Sequence, residues 1–485
     1  MSLSSVRGRL SSVLGPLSSG IEAFFVRFRP YLVYVHIVFF FYFLALLFLP
    51  LFTAEAVMDD TPLSNFAVFS NYVLWGLWFP LVLLSVIFTG RSWCGLACPM
   101  GASSEWASRI GLKKSIPWWL RSEWTPHVSF LIITILGQTI GVREHPEGVA
   151  IVFGGTLLCA IMFGFLYGNA EAHYGKRAWC RHTCPIGLLL GLFSRMGVVQ
   201  FTPKRKVDNQ VRYTERGVCP TMININRKDE SRHCIECFKC VYPDKPTAGL
   251  KLEFRKPGIE IEKIRRHNPN IMEVMFFFIG IGTALGGFLW LFLEQYQAMR
   301  LVFGEWALGW GWSWVGEPAP MWLASSHPER GEVFYWLDFI CISAYMLAWA
   351  IGTAAVFTVT TFAASFLAGQ EGADGTLYSR FLELGYQYAP VCLVSLVISL
   401  GSKLFPPFDV FGPDVPDLAK EALFSVGFVW SVYLGWRLLG EQGLPPAKRW
   451  VPAFPGTLGS VLAGISWWVA IFGPIIIESV SEPVR

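Results

Sequence analysis

Long stretches without charged side chains constrain this chain more than any other feature of its sequence. A helix of about 18 or more apolar residues can cross a bilayer, because it satisfies its own backbone hydrogen bonds. Nine stretches lack charge through most of their length and are spanning candidates: 31–52, 67–89, 127–144, 149–168, 271–293, 335–366, 381–402, 420–438 and 458–478. Charged residues make up only 15% of the chain, whereas a soluble domain contains roughly 25%. The sequence therefore predicts an all-α polytopic membrane protein.

Basic residues are distributed unevenly between the connecting segments. The N-terminal tail and the loop after the second stretch are rich in arginine, and residues 201–270 hold sixteen Lys or Arg against nine Asp or Glu. Because basic loops remain on the cytosolic side, this pattern predicts a bacterial inner-membrane protein with a cytosolic N-terminus. Nine crossings would place the C-terminus outside. The first apolar block begins near residue 31 and can span, so we expect no cleavable signal peptide.

Four cysteines lie in the polar segment between the fourth and fifth stretches, and we name them the insert group: Cys219, Cys234, Cys237 and Cys240. The last three follow C-x2-C-x2-C spacing, and the first precedes a proline. Cytosolic thiols are kept reduced, so grouped ones usually bind metal. A 4Fe–4S cluster needs four thiolates, and bacterial ferredoxins supply them from such a triplet and a Cys-Pro. Asp244 replaces the next cysteine of that motif, which indicates a single cluster.

Two other interpretations of the insert group stay open. A structural zinc ion could use the same four thiols, and a three-iron cluster could use the triplet alone. Four basic residues surround the group: Arg227, Lys228, Arg232 and Lys239. They could favour the reduced state and steer an acidic electron donor, or they could form a solvated basic face. The basic segment is explained by topology, so no nucleic-acid partner is expected.

An internal duplication carries four more cysteines, which we name the repeat group: Cys94, Cys98, Cys180 and Cys184. Residues 91–111 match residues 177–197 at a constant offset of 86, and each copy contains a C-x3-C-P motif. Spacing of i and i+4 places two thiols on one face of a helix. The proline can open the next helix, with its amide dipoles toward an anionic cluster.

The repeat group has several candidate roles. Its four thiols could ligate a second iron–sulfur cluster, form two reversible dithiol pairs, bind a metal ion transiently, or simply pack a helix junction. The remaining cysteines, Cys159, Cys341 and Cys392, stand alone in apolar segments. We expect them to be small core residues.

With these motifs, residues 31–300 resemble the polyferredoxin membrane proteins, a group that includes NosR, NapH, the FixG/CcoG proteins and the ferredoxin subunit of ferrous-iron uptake systems. The resemblance implies electron flow from a cytosolic donor or quinol to a membrane or extracytoplasmic redox or metal-transport partner, and quinone as a further cofactor. The chain departs from these relatives, because it lacks the extracytoplasmic flavin domain of NosR and the β-rich C-terminal domain of FixG-like proteins. Its ferredoxin array is also incomplete.

The predicted organisation has four parts. These are a cytosolic tail, a duplicated transmembrane unit, a cytosolic ferredoxin-like insert and a C-terminal transmembrane region: 1–30, 31–200, 201–270 and 271–485. Three functions compete on this basis. The chain could relay electrons without a substrate of its own, act as a quinol dehydrogenase or Fe/Cu reductase, or serve as an accessory subunit of a metal-uptake permease or oxidase-assembly system embedded in membrane lipid.

Overall fold

The computed structural model describes residues 3–54, 56, 60–168, 175–204, 217–225, 228, 230–245, 248–291, 293–328 and 332–481, with side chains described from residue 15 to residue 472. The described residues are mainly helical, as the sequence predicted. Two compact units are present. The first comprises Met1–Leu46, Val82–Ser129 and Gly155–Glu260, and the second comprises Leu47–Leu81, Phe130–Gly154 and Ile261–Arg485.

The helices before the insert have these bounds: α1 Leu3–Phe28, α2 Leu32–Phe48, α3 Phe66–Asn71, α4 Phe79–Thr89, α5 Ser92–Leu96, α6 Pro99–Ile110, α7 Trp118–Arg121, α8 Trp124–Thr139, α9 Pro146–Leu166, α10 Ala178–His182 and α11 Pro185–Phe193. A π-helical segment, Tyr72–Trp78, joins α3 to α4. Strands β1 and β2, Val199–Pro203 and Leu250–Phe254, bracket the insert.

The rest of the chain forms eight helices and a second, minimal strand pair among the described residues. The helices are α12 Ile259–Glu262, α13 Ile271–Leu289, α14 Glu294–Gly309, α15 Trp336–Gln370, α16 Leu377–Gly385, α17 Ala389–Leu400, α18 Val415–Glu441 and α19 Trp450–Ser481. The strands are β3 Ser326–His327 and β4 Glu332–Val333, which pair antiparallel.

Eight helical segments in the described part of the chain are long and apolar enough to cross a membrane: Gly15–Phe52, Phe66–Thr89, Pro146–Leu166, Ile271–Leu289, Trp336–Gln370, Leu377–Leu400, Val415–Glu441 and Trp450–Phe472. They correspond to eight of the nine predicted stretches and confirm the predicted fold class. The ninth, 127–144, falls on α8, which has 16 residues. That helix is about 24 Å long, shorter than the roughly 30 Å hydrocarbon core.

The second unit is a helical bundle built around α13 and α17. Helix α13 packs on α15 and α17, and α18 and α19 complete the bundle. In the apolar window of Leu377–Leu400, 94% of the residues are buried, against 22% in Trp336–Gln370. The first segment therefore packs among protein helices, and the second leaves most of its apolar surface for lipid.

The first unit contains both cysteine groups. Strands β1 and β2 pair antiparallel from Val199 opposite Phe254 to Pro203 opposite Leu250, so they join the two ends of the insert. Between them the chain is mostly irregular where it is described, and it packs an apolar core that includes Phe201, Phe238 and Leu252. The small sheet fixes the base of the insert, while its cysteines lie in loops.

A buried ion network anchors this base. Arg195 Nη1 lies 3.0 Å from Glu260 Oε1, and Arg255 also pairs with Glu260. Burial alone would raise the pKa of Glu260, but the guanidinium groups of Arg195 and Arg255 lower it to about 2. Both partners of the 3.0 Å pair are almost inaccessible, so Glu260 needs the two guanidinium groups to stay charged at this position.

Candidate functional site

The two copies of the duplication have the same local backbone. In each, a five-residue helix carries the first cysteine and a second helix begins directly after the other cysteine. Cys98 has φ −63° and ψ 117°, and Cys184 has φ −61° and ψ 120°. Both are N-cap residues, of α6 and α11.

This geometry corrects one expectation about the repeat group. The two thiols of each motif do not share one face of a continuous helix, because α5 ends at Leu96 and α10 ends at His182. The physical reason is the proline, which disfavours a helical conformation in the residue before it. Cys98 and Cys184 are therefore extended, and each pair spans a break between two helices.

The predicted opening of a helix by each proline is confirmed. Pro99 and Pro185 occupy the first turn of α6 and α11, where a missing N–H costs nothing. The Gly187 N–H donates to Cys184 Sγ at 3.2 Å. At Cys98 burial raises the pKa to about 11, and the nearby amides of Gly101 and Met100 act against this rise. Free amides at a helix start favour a negative sulfur.

The repeat group forms one cluster of thiols, of which Cys94, Cys180 and Cys184 are buried and Cys98 is half-buried. Burial raises the pKa of Cys180 well above its usual value, and the charges of Cys184, Cys98 and Cys94 raise it further. Burial also raises the pKa of Cys184 to about 12, again with a contribution from Cys98. Thiols that oppose one another's ionisation in this way need a cation between them before all can become thiolates.

The insert group converges in the same manner. Burial raises the pKa of Cys240 well above its usual value, and Cys234, Cys237 and Cys219 add to this effect. Glu236 and Phe238, on either side of Cys237, have φ of 52° and 57°. This left-handed backbone is uncommon outside glycine and asparagine, and such strain concentrates at binding sites. Here it turns the loop so that all three triplet thiols face inward with Cys219.

Each repeat contains one arginine, Arg91 or Arg177, whose side chain contacts the other repeat. A methyl group added to Gly101 would lie 2.7 Å from Arg177 Nη1, and one added to Gly187 would lie 3.4 Å from Arg91 Nη2. Each arginine therefore packs on the glycine of the other copy. Both side chains are buried, so they supply positive charge beside the thiols, as an anionic cluster requires.

Glu105 connects the two cysteine groups through ion pairs that the sequence did not reveal. Its carboxylate lies 3.0 Å from Arg177 Nε and also pairs with Lys239. Burial would raise the pKa of Glu105, but Arg177 and Lys239 lower it to about 2. The duplication does not predict this role of Glu105, because Gly191 occupies the corresponding position in the second copy.

The basic residues around the insert group are largely inside this network. The side chain of Arg232 is 8% exposed and that of Lys239 is 24% exposed, so neither forms a solvated face. Lys228 donates to the Phe201 carbonyl. Arg227 lies outside the described residues. A donor-steering role is not supported for Arg232 or Lys239, whose charges are directed inward.

The two cysteine groups adjoin each other at Gly95. A methyl group added to this residue would lie 2.9 Å from both Cα and N of Cys237, and still closer to the Ile235 carbonyl oxygen. Burial lowers the pKa of Arg177, but the charge of Glu105 raises it, and Cys180 of one group and Cys237 of the other raise it further. The backbone at Gly95 and the guanidinium group of Arg177 therefore lie between the two cysteine groups.

Comparison with known protein families identifies the chemistry. A family model described as a 4Fe-4S binding domain matches residues 73–117 and 172–206. The chain carries a 4Fe–4S binding domain. The matched ranges contain all four cysteines of the repeat group, and the buried thiols with their arginine partners fit an anionic cluster. A 4Fe–4S cluster is thus the cofactor of this chain.

Two uncharacterized proteins of Methanocaldococcus jannaschii are similar to part of the chain. MJ0749 of Methanocaldococcus jannaschii is 25% identical over 169 residues, which cover 33% of this chain and 64% of the relative. MJ0750 of the same organism is 26% identical over 175 residues, covering 33% of this chain and 71% of the relative. The first match thus spans less than two thirds of the relative. No solved structure matches the chain.

Proposed function

We propose that this chain is an electron carrier of a bacterial inner membrane. Two iron–sulfur clusters, one held by the repeat group and one by the insert group, would pass electrons from a cytosolic donor or quinol to a membrane or extracytoplasmic partner. When bound, such clusters supply one-electron transfer. The N-terminus and both groups would lie on the cytosolic side, in agreement with the basic loops.

The observation that carries this proposal is the contact between the two groups. Gly95 follows Cys94 in the first motif, and a methyl group added to it would lie 2.9 Å from the backbone of Cys237 in the insert group. Two redox centres with only one layer of backbone between them can exchange electrons, whereas a structural cluster needs no neighbour. Glu105, Arg177 and Lys239 would hold that layer rigid and keep water out.

Electron paramagnetic resonance on the full-length, anaerobically purified protein tests this proposal. Reduced wild type should give the signals of two interacting clusters. Cys237→Ser should remove the insert signal and Cys180→Ser the repeat signal, each leaving the other cluster without its magnetic partner. Cys159→Ser is the control and should match wild type, because Cys159 lies outside both groups. The prediction that Cys159 is a core residue was wrong, since its side chain is exposed on an apolar helix, whereas Cys341 and Cys392 are buried as predicted. Zinc in place of iron, or clusters that no reductant reaches, would contradict the proposal.

A cavity in the second unit favours quinol as the donor in a second version of this function. It has a volume of about 480 Å³ and is lined by residues including Leu285, Tyr345, Trp349, Gly352 and Phe357. Pockets for small ligands have volumes of roughly 300–1,000 Å³ and mostly apolar walls. A quinol ring would fit this description, and the chain would then act as a quinol dehydrogenase.

A variant that fills the cavity distinguishes quinol from a cytosolic protein as the electron donor. A methyl group on Gly352 meets open space, so Gly352→Leu can occupy the cavity without a backbone shift. If quinol is the donor, this variant should reduce its clusters at least tenfold more slowly with a quinol analogue and at the normal rate with dithionite. Gly155→Leu, at another open helix position, is the control. Equal quinol rates in all three proteins would exclude the cavity as the quinol site.

A further inference from the structure

The second unit contains a cluster of potential metal ligands that is separate from both cysteine groups. His145, Glu147 and His327 place one ligand atom each within 4.8 Å of one another. Both histidines are buried, at 5% and 7% exposure, and Glu147 is half-buried. The two imidazole rings stack with centroids 4.0 Å apart. The two histidines are 182 positions apart in the chain, so only the fold brings them together.

Two short elements hold this cluster in place. His145 immediately precedes α9, and its carbonyl accepts the Val149 N–H at 3.2 Å. His327 lies on β3 opposite Glu332 of β4. The Ser325 N–H donates to the Thr139 carbonyl at 2.7 Å, which ties this strand pair to the end of α8. Ligands fixed by backbone contacts of this kind are preorganised for an ion.

The carboxylates around the histidines have the placement that metal sites use. Glu147 Oε2 is buried without a hydrogen-bond partner, and a buried carboxylate oxygen without a partner is costly unless a cation approaches it. Glu332 Oε2 lies 2.9 Å from His145 Nε2. A carboxylate bonded to one ring nitrogen of a ligating histidine orients the ring and raises its basicity.

Charge balance supports a cation at this position. The start of α9 carries a partial positive charge that alone would repel a metal ion. Glu147 lies in the first turn of that helix and Glu332 beside it, so two carboxylates offset both the helix dipole and the charge of the ion. Two imidazoles alone would offer no such compensation.

We propose that His145, Glu147 and His327 bind one divalent transition-metal ion, with Glu332 as a positioning residue for His145. Two imidazole nitrogens and a carboxylate oxygen suit ions of intermediate softness, such as Zn²⁺ or Fe²⁺, and suit Ca²⁺ or Mg²⁺ poorly. The predicted topology puts this segment on the extracytoplasmic side. The site does not depend on the proposed electron transfer, because it shares no residue with either cysteine group.

Calorimetric titration with Zn²⁺ tests the site on full-length, cluster-loaded protein that carries no histidine tag. Cluster loading keeps the cysteines occupied, so that they do not bind the added zinc. Wild type should bind one Zn²⁺ per chain. His327→Gln and Glu147→Gln should each weaken this binding at least tenfold, and Glu332→Gln should weaken it less. His267→Gln, a histidine of the same unit outside the cluster, should bind as wild type does.

Iron content and elution volume report whether each variant is folded. Glu147→Gln keeps the size of the side chain at a half-buried position, so it decides the question if the histidine variants misfold. Failure of wild type to bind Zn²⁺ or Fe²⁺, or equal binding by wild type and Glu147→Gln, would overturn the proposal. Neither result depends on cluster reduction, so failure of the electron-transfer proposal would be seen separately.

Discussion

At the scale of single residues, Gly95 is the most restricted position between the cysteine groups. A side chain there would overlap the Ile235 carbonyl oxygen and approach Cys237 within 2.9 Å. Backbone cannot move aside as a flexible side chain can, so Gly95→Ala should cost about 1–3 kcal/mol of folding free energy. We expect the variant to retain less iron, measured by colorimetric assay after anaerobic purification.

The matched control for this change is Gly155→Ala. A methyl group at Gly155 meets open space within α9, and alanine is the better helix former by about 1 kcal/mol. This variant should keep its full iron content and unfold at the same or a slightly higher temperature. If Gly95→Ala behaved in the same way, the two groups would not be in contact.

The buried carboxylate of Glu260 predicts a pH dependence of stability. Its pKa is lowered to about 2 by Arg195 and Arg255, so the network stabilises the fold fully above the ordinary carboxyl pKa of about 4.5. This contribution is lost as the pH falls from about 4.5 to 2. Glu260→Gln removes the carboxylate that Arg195 and Arg255 share, while Arg195 keeps its pair with Glu230 at 3.0 Å. The free energy of unfolding at pH 7 should therefore fall by about 3 kcal/mol, the lower end of the cost of breaking a buried ion pair.

Tryptophan fluorescence during thermal unfolding, at a series of pH values, measures this effect. The difference between wild type and Glu260→Gln should shrink as the pH approaches 2. Glu253→Gln is the control, because Glu253 pairs with Lys251 where both side chains are more than a third exposed, and such pairs contribute little. A constant difference at all pH values would show that Glu260 acts through packing and not through its charge.

At the scale of elements, α1 holds the triplet loop from outside. Arg29 Nη2, just after this helix, donates to the carbonyls of Phe238 and Val241 at 2.8 and 2.7 Å, and Phe25 stacks on Phe238 at 4.3 Å. Hydrogen bonds from a charged donor contribute about 1.5–3 kcal/mol each. Arg29→Ala should therefore loosen the loop and accelerate loss of the insert cluster in air, followed by bleaching of its visible absorption.

Arg27→Ala provides the control for α1, because Arg27 is exposed near the end of the same helix. Removing this positive charge leaves the loop carbonyls bonded, so bleaching should proceed at the wild-type rate. Equal rates in Arg29→Ala and wild type would mean that the loop keeps its strained conformation without α1.

The sequence predicted those elements correctly that a local pattern of residues determines. Apolar length located eight spans, and proline after each second cysteine predicted the starts of α6 and α11. The spacing of the cysteines did not show that α5 ends before Cys98. Prediction from the sequence also failed where two partners are distant in the chain, because nothing local connects Glu105 with Lys239 or His145 with His327. Those pairs depend on tertiary packing, which a single sequence does not reveal.

At the scale of the whole molecule, the contact between the repeats decides how often the chain crosses the membrane. A methyl group on Gly101 would lie 3.4 Å from Cys180 Sγ, so both motifs lie on one side. Helix α9 is long enough to cross, and the chain between the motifs must cross an even number of times. We therefore expect α8 to cross as well, despite its 16 residues, which gives nine crossings.

Reporter fusions to the C-terminus of the full chain test this count. With nine crossings and a cytosolic N-terminus, alkaline phosphatase should be active and green fluorescent protein dark. The opposite result would mean that α8 does not cross, or that one of the later helices fails to do so. A second fusion, at the N-terminus, distinguishes a protein with the opposite membrane orientation from one with a different number of crossings.

If each group of four thiols holds one 4Fe–4S cluster, as we propose, metal analysis of the purified protein will count two clusters per chain. Iron and acid-labile sulfide should both approach about eight per chain in anaerobically purified wild type, and about four in Cys237→Ser or Cys180→Ser. Cys159→Ser should match wild type. About four iron atoms in wild type, all lost in one of the two variants and none in the other, would contradict the second cluster. Protein without iron or sulfide would contradict the account as a whole.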